Sequence, residues 1–255
     1  MEKIVLYDGM SVLRERLSQH HISHTNMIRG VINETQMAGM RIWTWDGVGG
    51  NDARRKLFPA YKSKRPPQTQ SIFEAVNFIR KLLDLTPAWQ ARIDGFEGDD
   101  LIAALVDQFP NNQIEIQTRD GDLVALTDGS RVTCTAKLKE PIPPHFVRLY
   151  KLMVGDPSDC IPGVKGYGKK SWFEADKFKL AKAIDHLMAG RGCDTTDTGL
   201  TDKQVEWIRE NRPLMATMDQ ILRPLPIPLE QVNGSLWKGT DNPQAREELL
   251  RKYLL

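Results

Sequence analysis

Nine carboxylates fall in short groups along this chain: Asp8 and Asp46 singly, Glu97 with Asp99 and Asp100, Asp120 with Asp122, and Asp156 with Asp159. An all-oxygen donor set of this kind selects hard ions such as Mg²⁺ or Mn²⁺. Two such ions roughly 3.5–4 Å apart can activate water and stabilise the leaving oxygen of a phosphodiester. Each group also has an ordinary explanation. Asp99 and Asp100 would suit the positive end of a helix dipole, and Asp120-Gly121 would suit a turn. Those explanations weaken in combination, because so many carboxylates on one edge repel one another unless cations neutralise them.

A second group is basic. From Ala53 to Phe73 there are six cations (Arg54, Arg55, Lys56, Lys62, Lys64, Arg65) and no acid, with Phe58 and Tyr61 among them. A solvated surface helix accounts for most charge runs. Placed directly behind Asp46 and mixed with aromatics, this one suits a nucleic acid: cations give salt-sensitive affinity for phosphate, and a ring can stack on an unpaired base. The stretch Gly163-Val-Lys-Gly-Tyr-Gly-Lys-Lys-Ser171 is a poor nucleotide loop because no strand precedes it. Its glycines would let backbone N–H groups approach phosphates closely, and Lys165, Lys169 and Lys170 add charge.

The elements that must position these groups alternate in the first half. Residues 3–7, 41–45, 113–118 and 131–135 read as strands. Helical spacing marks 27–38, 72–85 and 99–109. That alternation predicts a mostly parallel sheet covered on both faces. Asp8, Asp46 and the Asp120–Asp122 pair each follow a strand, and in such sheets ligands sit beyond the carboxyl ends. Pro141, Pro143 and Pro144 mark a hinge. Beyond it the chain reads as helices only, at 145–154, 169–187, 202–210, 213–222 and from Pro243, with an extended passage through Pro224, Pro226 and Pro228.

Composition narrows the class. Hydrophobic content of 40% and charged content of 27% over 255 residues fit a globular protein with one large domain or two modest ones. No run approaches the roughly 18 apolar residues of a membrane span, and the apolar run at Ile4–Leu6 is too short for a signal peptide. Cytosolic residence is therefore expected. Cys134, Cys160 and Cys193 are too scattered for a zinc site or a disulfide framework. The net charge of +2 says little about partners, but its segregation into basic run and acidic pairs says more.

The ordered stretches Leu6-Tyr-Asp-Gly9, Trp45-Asp46, Tyr61-Lys-Ser-Lys-Arg65, Glu97-Gly-Asp-Asp100, Thr118-Arg-Asp-Gly-Asp122 and Gly155-Asp-Pro-Ser-Asp-Cys-Ile-Pro-Gly163, continuing to Gly168, resemble the 5′-nuclease family. That family comprises phage and bacterial 5′→3′ exonucleases and flap endonucleases. The resemblance implies an α/β fold: a PIN-like, mostly parallel sheet flanked by helices, with a C-terminal helical helix–turn–helix region. The catalytic domain would cover residues 1–144 with a basic arch around 50–75. The DNA-binding region would cover 145–255 with its glycine-rich hairpin at 163–171.

The same resemblance assigns residues. Asp8, Asp46, Glu97, Asp99, Asp100, Asp120, Asp122, Asp156 and Asp159 match acids that bind two Mg²⁺ or Mn²⁺ ions, with Asp122, Asp156 and Asp159 chiefly around the second. Lys62 and Arg65 match a Tyr-Lys-x-x-Arg pattern whose cations steer and polarise the scissile phosphate. Tyr61 matches a position that stacks on the terminal nucleotide, and a further phosphate-contacting arginine is implied at Arg54 or Arg55. Gly163, Gly166, Gly168, Lys169 and Lys170 would grip duplex DNA, with K⁺ on turn carbonyls. Base reading would be minimal, since phosphate contacts carry no sequence information. Cys160 departs from the family's usual Asn, and Trp172 from its small residue.

The implied activity is structure-specific hydrolysis at 5′ ends and 5′ flaps of DNA, extending to RNA in RNA–DNA hybrids. The expected bearer is a free-standing monomer of the phage or small bacterial type, in a bacterial or phage-infected cytoplasm. An aspartyl phosphohydrolase would need a second Asp two residues after Asp8, where Met10 stands. A branched-DNA-binding module with weak catalysis is the non-enzymatic alternative, and the intact acids and Lys62 oppose it.

Overall fold

Strand β1 (Lys3–Asp8) is buried from Ile4 through Asp8, a pattern that only the centre of a doubly covered sheet allows. Residues 3–18 and 24–254 are described by the structure, a computed structural model. The neighbours of β1 are β2 (Met40–Trp45) and β4 (Gln113–Gln117), both parallel to it. Beyond β2 lies β3 (Trp89–Arg92), and beyond β4 lies β5 (Val132–Cys134), again parallel. The order is β5-β4-β1-β2-β3-β6, with β6 (Leu236–Lys238) antiparallel beside β3. After β3 the chain crosses to the other side of β1. The topological switch point, where ligands bind in such sheets, therefore lies between the carboxyl ends of β1 and β4.

Period-two alternation feeds two cores. Ile4 and Leu6 join Leu101, Ile102 and Leu105 on one face, contributed by a helix over Gly98–Gln108. Val5 and Tyr7 join Val12, Leu13, Ile28, Ile79 and Leu82 on the other. That second layer is α1 (Gly9–Ser18), α2 (His24–Thr35) and a helix over Gln70–Asp84. Tyr7 and Trp43 are register partners whose rings stack 4.4 Å apart.

Two strands escape the sequence pattern for a physical reason. β3 has four residues, and its Gln90 is wholly buried. Gln90 accepts from Trp45 Nε1 and donates to Arg80 O and Asp84 Oδ1, so hydrogen bonds hold a polar residue where an apolar one would signal the strand. β6 has only three residues and exists because β3 offers it an edge.

Two compact units divide the chain. The first takes the chain through Asn51, Pro67–Lys139 and everything from Leu225 onward; the second takes Asp52–Pro66 and Glu140–Pro224. This corrects the expected organisation in two places. The region 145–255 is not one helical body: after Pro224 the chain returns to the sheet unit, where Leu225 N donates to Asp100 Oδ1 at 2.7 Å. The short helix over Leu229–Ser235, β6 and the helix over Pro243–Leu254 follow there. Nor is 50–75 one arch. Its basic part is the six-residue α3 (Asp52–Leu57) followed by turns within the second unit, while Gln70 opens α4 (Gln70–Asp84) of the first.

The second unit is helical. A 3-10 turn at Pro144–Phe146 leads into a helix over Val147–Val154, then come helices over Lys169–Glu174, Lys177–Met188, Asp202–Glu210 and Arg212–Ile221. The single helix expected over 169–187 is two, because Asp176 caps the second by accepting from Phe178 N and Lys179 N. Numbering continues as α5 (Gly98–Gln108), α6 (Val147–Val154), α7 (Lys169–Glu174), α8 (Lys177–Met188), α9 (Asp202–Glu210) and α10 (Arg212–Ile221). Trp172 is 1% exposed and packs edge-on against Phe146 and Tyr150. Its size thus fills this core, on the order of 2–3 kcal/mol of burial.

Candidate active site

In the sheet unit the acids are placed by strand ends. Asp8 closes β1 and is 8% exposed. Its Oδ1 accepts from Ser11 N at 3.0 Å and its Oδ2 from the Thr118 hydroxyl at 2.7 Å. Burial pushes the Asp8 carboxyl up to about 6, and the charges of Asp46 and Asp120 add to the rise against those two hydrogen bonds. Gly9 follows because a Cβ there would sit 2.4 Å from the Trp45 ring and 2.8 Å from Thr44 O. Asp46 follows β2, is exposed, and accepts Gly98 N at 2.8 Å, which ties the end of β2 to the start of α5.

The Glu97 group is partly a helix cap. Glu97 and Asp100 form a reciprocal capping box. Asp100 is wholly buried, and its two oxygens accept from Glu97 N and Leu225 N. Asp100 thereby ties the start of α5 and Glu97 to the chain at Leu225. Asp99 is half-buried in the first turn of α5. Past β4, Asp120 accepts Asp122 N at 2.9 Å and caps a 3-10 turn over Gly121–Leu126, which presents Asp122 half-buried.

Thr118 joins the two sides of the switch point. It is buried, donates to Asp8, and accepts from Asp120 N at 2.9 Å. The acids alone do not reveal it. Its signal is its place, two residues before Asp120 at the end of β4.

In the second unit, Asp156 and Asp159 lie in one turn closed by an antiparallel bridge from Asp156 to Ile161. Asp156 Oδ1 accepts from Ser158 N and Oγ, and its Oδ2 pairs with Lys151 at 2.5 Å. Burial raises the Asp156 carboxyl, but Lys151 and Ser158 outweigh it and hold the group below the usual range. Lys151 belongs to no motif, and only the fold places it. Asp159, 5% exposed, pairs with Arg65 at 2.5 Å, while its carbonyl accepts Lys62 N at 3.3 Å.

The basic run separates by exposure. Arg54 is 5% exposed, and its guanidinium donates to Ile221 O and Arg223 O at the end of α10. The DNA-contact role shared between Arg54 and Arg55 is corrected: Arg54 is consumed in capping carbonyls, and Arg55 is the exposed one. Tyr61 is 4% exposed, so its expected stacking on a nucleotide is also corrected. Its ring instead lies under two cations, Lys62 Nζ at 4.8 Å and Arg54 at 5.9 Å from the centroid. Lys62 itself takes φ +54, a conformation unfavourable for a residue with a Cβ.

Gly163 and Gly166 take φ +70 and +78, and Gly168 precedes α7 as its N-cap. A Cβ on Gly163 would lie 2.5 Å from Gly155 N and 2.7 Å from Val154 C. Gly163→Ala should therefore destabilise the protein by about 2–4 kcal/mol, the sum of left-handed strain and overpacking. Urea unfolding measures this, and a loss under about 0.5 kcal/mol would contradict the turn as described. Lys165, Lys169 and Lys170 are exposed around the hairpin, with Lys169 paired to Glu140 at 2.5 Å. Cys160 takes φ +61, a region that Asn tolerates better than most residues with a Cβ.

The 5′-3′ exonuclease family, through its N-terminal resolvase-like domain, matches residues 10–148. The chain belongs to this family. DNA polymerase I of Caldicellulosiruptor bescii is 30% identical over 200 residues, 66% of this chain and 23% of that protein. A 5′-3′ exonuclease of Mycoplasma pneumoniae is 30% identical over 154 residues, 53% of this chain and 52% of that one. The matches thus span from under a quarter to about half of these relatives' length. Among solved structures, the bacteriophage T5 D15 protein crystallised with metal ions has a TM-score of 0.65 at 17% identity, covering 99% of this chain and 98% of that one. The same T5 flap endonuclease with DNA and metal ions gives 0.62 at 16% identity, covering 99% and 98%. At that identity the likeness is one of fold, and it is the mostly parallel sheet with helices read from the sequence. Among the described residues no helix is long and apolar enough to cross a membrane.

Proposed function

We propose that this member of the 5′-3′ exonuclease family is a structure-specific 5′ nuclease that hydrolyses DNA phosphodiesters at 5′ ends and flaps, including RNA primers in hybrids, with two divalent ions. The observation that carries this is the charge environment of Asp8: a buried carboxylate raised to about 6 by burial and by Asp46 and Asp120 at neighbouring strand ends. An all-oxygen set whose members repel one another fits a hard cation such as Mg²⁺ or Mn²⁺. Asp8, Asp46, Glu97, Asp99 and Asp120 would hold the catalytic ion or its water shell, and Asp122, Asp156 and Asp159 would serve a second. When bound, such ions supply a water-derived nucleophile at neutral pH and charge stabilisation for the leaving oxygen.

The chain's own residues do the rest. Lys62 and Arg65 polarise and orient the scissile phosphate, with Arg65 held by Asp159. Arg55, the backbone of Gly163, Gly166 and Gly168, and Lys169 and Lys170 bind phosphates of the duplex, with K⁺ at the hairpin carbonyls. A monomer suffices for these roles. The T5 relative's complex with DNA and metal ions supports the reading.

A 5′-labelled flap duplex incubated with Mg²⁺, Mn²⁺ or chelator tests it. Metal-dependent release of short 5′ products is expected; binding without cleavage in every condition would leave only a branched-DNA-binding module. Thr118 offers a finer test. Thr118→Val should weaken Mn²⁺ binding, read by calorimetry, by about 10–100-fold, as loss of a ligand's hydrogen-bond partner does. Thr118→Ser should restore it, and equal affinities in all three proteins would remove Thr118 from the site.

A further inference from the structure

A groove of about 530 Å³ at the β3–β6 edge of the sheet unit serves no step described above. Its wall includes Arg80 from α4, Arg92 at the carboxyl end of β3, Asp94, Gln231, Ser235 and Trp237 from β6. The Nε atoms of Arg80 and Arg92 are both shielded from solvent and meet no acceptor. Arg92 pairs with Asp94 at 2.9 Å, and Asp94 is 68% exposed. Arg80 has no carboxylate within ion-pair distance among the described residues. Burial and the neighbouring Arg92 both disfavour its charge, with Asp84 and Asp94 opposing. Asp84 is engaged elsewhere, since its Oδ1 accepts from Gln90 and from Trp237 Nε1.

Two guanidiniums lining one groove disfavour each other's charge unless an anion sits between them. Phosphate matches best, because its several oxygens accept from two planar forks at once. The half-buried Trp237 indole beside them offers an apolar face of the kind on which unpaired bases stack. The position favours a strand over a loose nucleotide. Arg92 is the register partner of Trp45, the residue before Asp46. The groove therefore begins one strand, about 4.8 Å, beyond an acid of the candidate site.

We propose that this groove binds an unpaired nucleic-acid strand, with a backbone phosphate between Arg80 and Arg92 and the adjoining base on Trp237. The assignment rests on the nuclease reading for its choice of polymer, but its test needs no hydrolysis. Binding of fluorescein-labelled oligothymidylate and of a labelled blunt duplex is followed by anisotropy in chelator across a salt series. The Arg80→Gln/Arg92→Gln pair should weaken oligothymidylate binding about 10-fold. Its log–log salt slope should become shallower by about 0.7, the loss of one single-strand phosphate contact. The Arg80→Lys/Arg92→Lys pair should keep the slope, and Trp237→Leu should weaken binding about 5–10-fold without changing it. Blunt-duplex affinity should be unchanged.

Oligothymidylate affinity and slope unchanged in a folded Gln pair, checked by its melting curve, would overturn the proposal. So would an equal loss on blunt duplex, or thymidine 5′-monophosphate competing as tightly as the oligonucleotide, which would mark a mononucleotide site. If the Gln pair does not fold, the Lys pair and Trp237→Leu decide: a lost slope in the first or full affinity in the second overturns it. Failure of the nuclease reading appears separately, as an absence of cleavage by the unaltered chain.

Discussion

Asp8→Asn is expected to lower hydrolysis by at least about 10³-fold and, in chelator, to make the protein more stable. The first effect follows from removing a charge that several kcal/mol of transition-state stabilisation depend on, at 1.36 kcal/mol per decade. The second follows from linkage. The Asp8 carboxyl titrates near 3.8 when unfolded and is pushed up to about 6 in the fold. Between those values the native state binds more protons than the unfolded one, so stability falls as pH rises through that window. Above it the full penalty applies, on the order of 3 kcal/mol for two pH units. Asn carries no such penalty, and the Thr118 hydroxyl that donates to Asp8 can rotate to accept from it. In urea unfolding at pH 8 without metal, the variant should gain about 2–3 kcal/mol, and the gain should vanish below about pH 4. Saturating Mn²⁺ should stabilise the unaltered protein and not the variant. Parallel stability–pH curves for the two proteins would refute the account of Asp8.

Lys62→Ala should slow single-turnover cleavage of a flap by about 10²–10³-fold, the usual cost of removing one group aimed at developing charge. Lys62 is held from three directions: a left-handed backbone at φ +54, its N–H on Asp159 O, and its ammonium 4.8 Å from the Tyr61 centroid. Lys62→Gly separates backbone from charge. It should lose rate as Ala does, yet gain about 1 kcal/mol of stability because glycine takes that φ without strain. Cleavage by Lys62→Ala within fivefold of the unaltered rate would sink its catalytic assignment. Asp8 and Lys62 share a logic. Each residue is poorly suited to the folded chain alone, and strain or unfavourable charge of that kind concentrates at functional sites.

The acids and the scaffold were legible in the sequence because strand–helix alternation is a local signal and Asp8, Asp46 and Asp120 each follow a strand. The nine carboxylates in ordered groups on which the metal reading rests are also written in the sequence. Tertiary structure decided which polar groups are spent on holding the fold. Arg54 and Arg55 are indistinguishable in sequence, yet one caps the end of α10 in the interior and the other is exposed. Tyr61 looked available for stacking until packing buried it. Asp100 reads like Asp99, but its oxygens accept N–H groups from Glu97 and from Leu225, 125 residues away. Thr118 and Arg80 gain significance only from neighbours distant in sequence. Residue type and strand-end position are written locally, whereas burial and hydrogen-bond partners depend on which distant segments return to the same place.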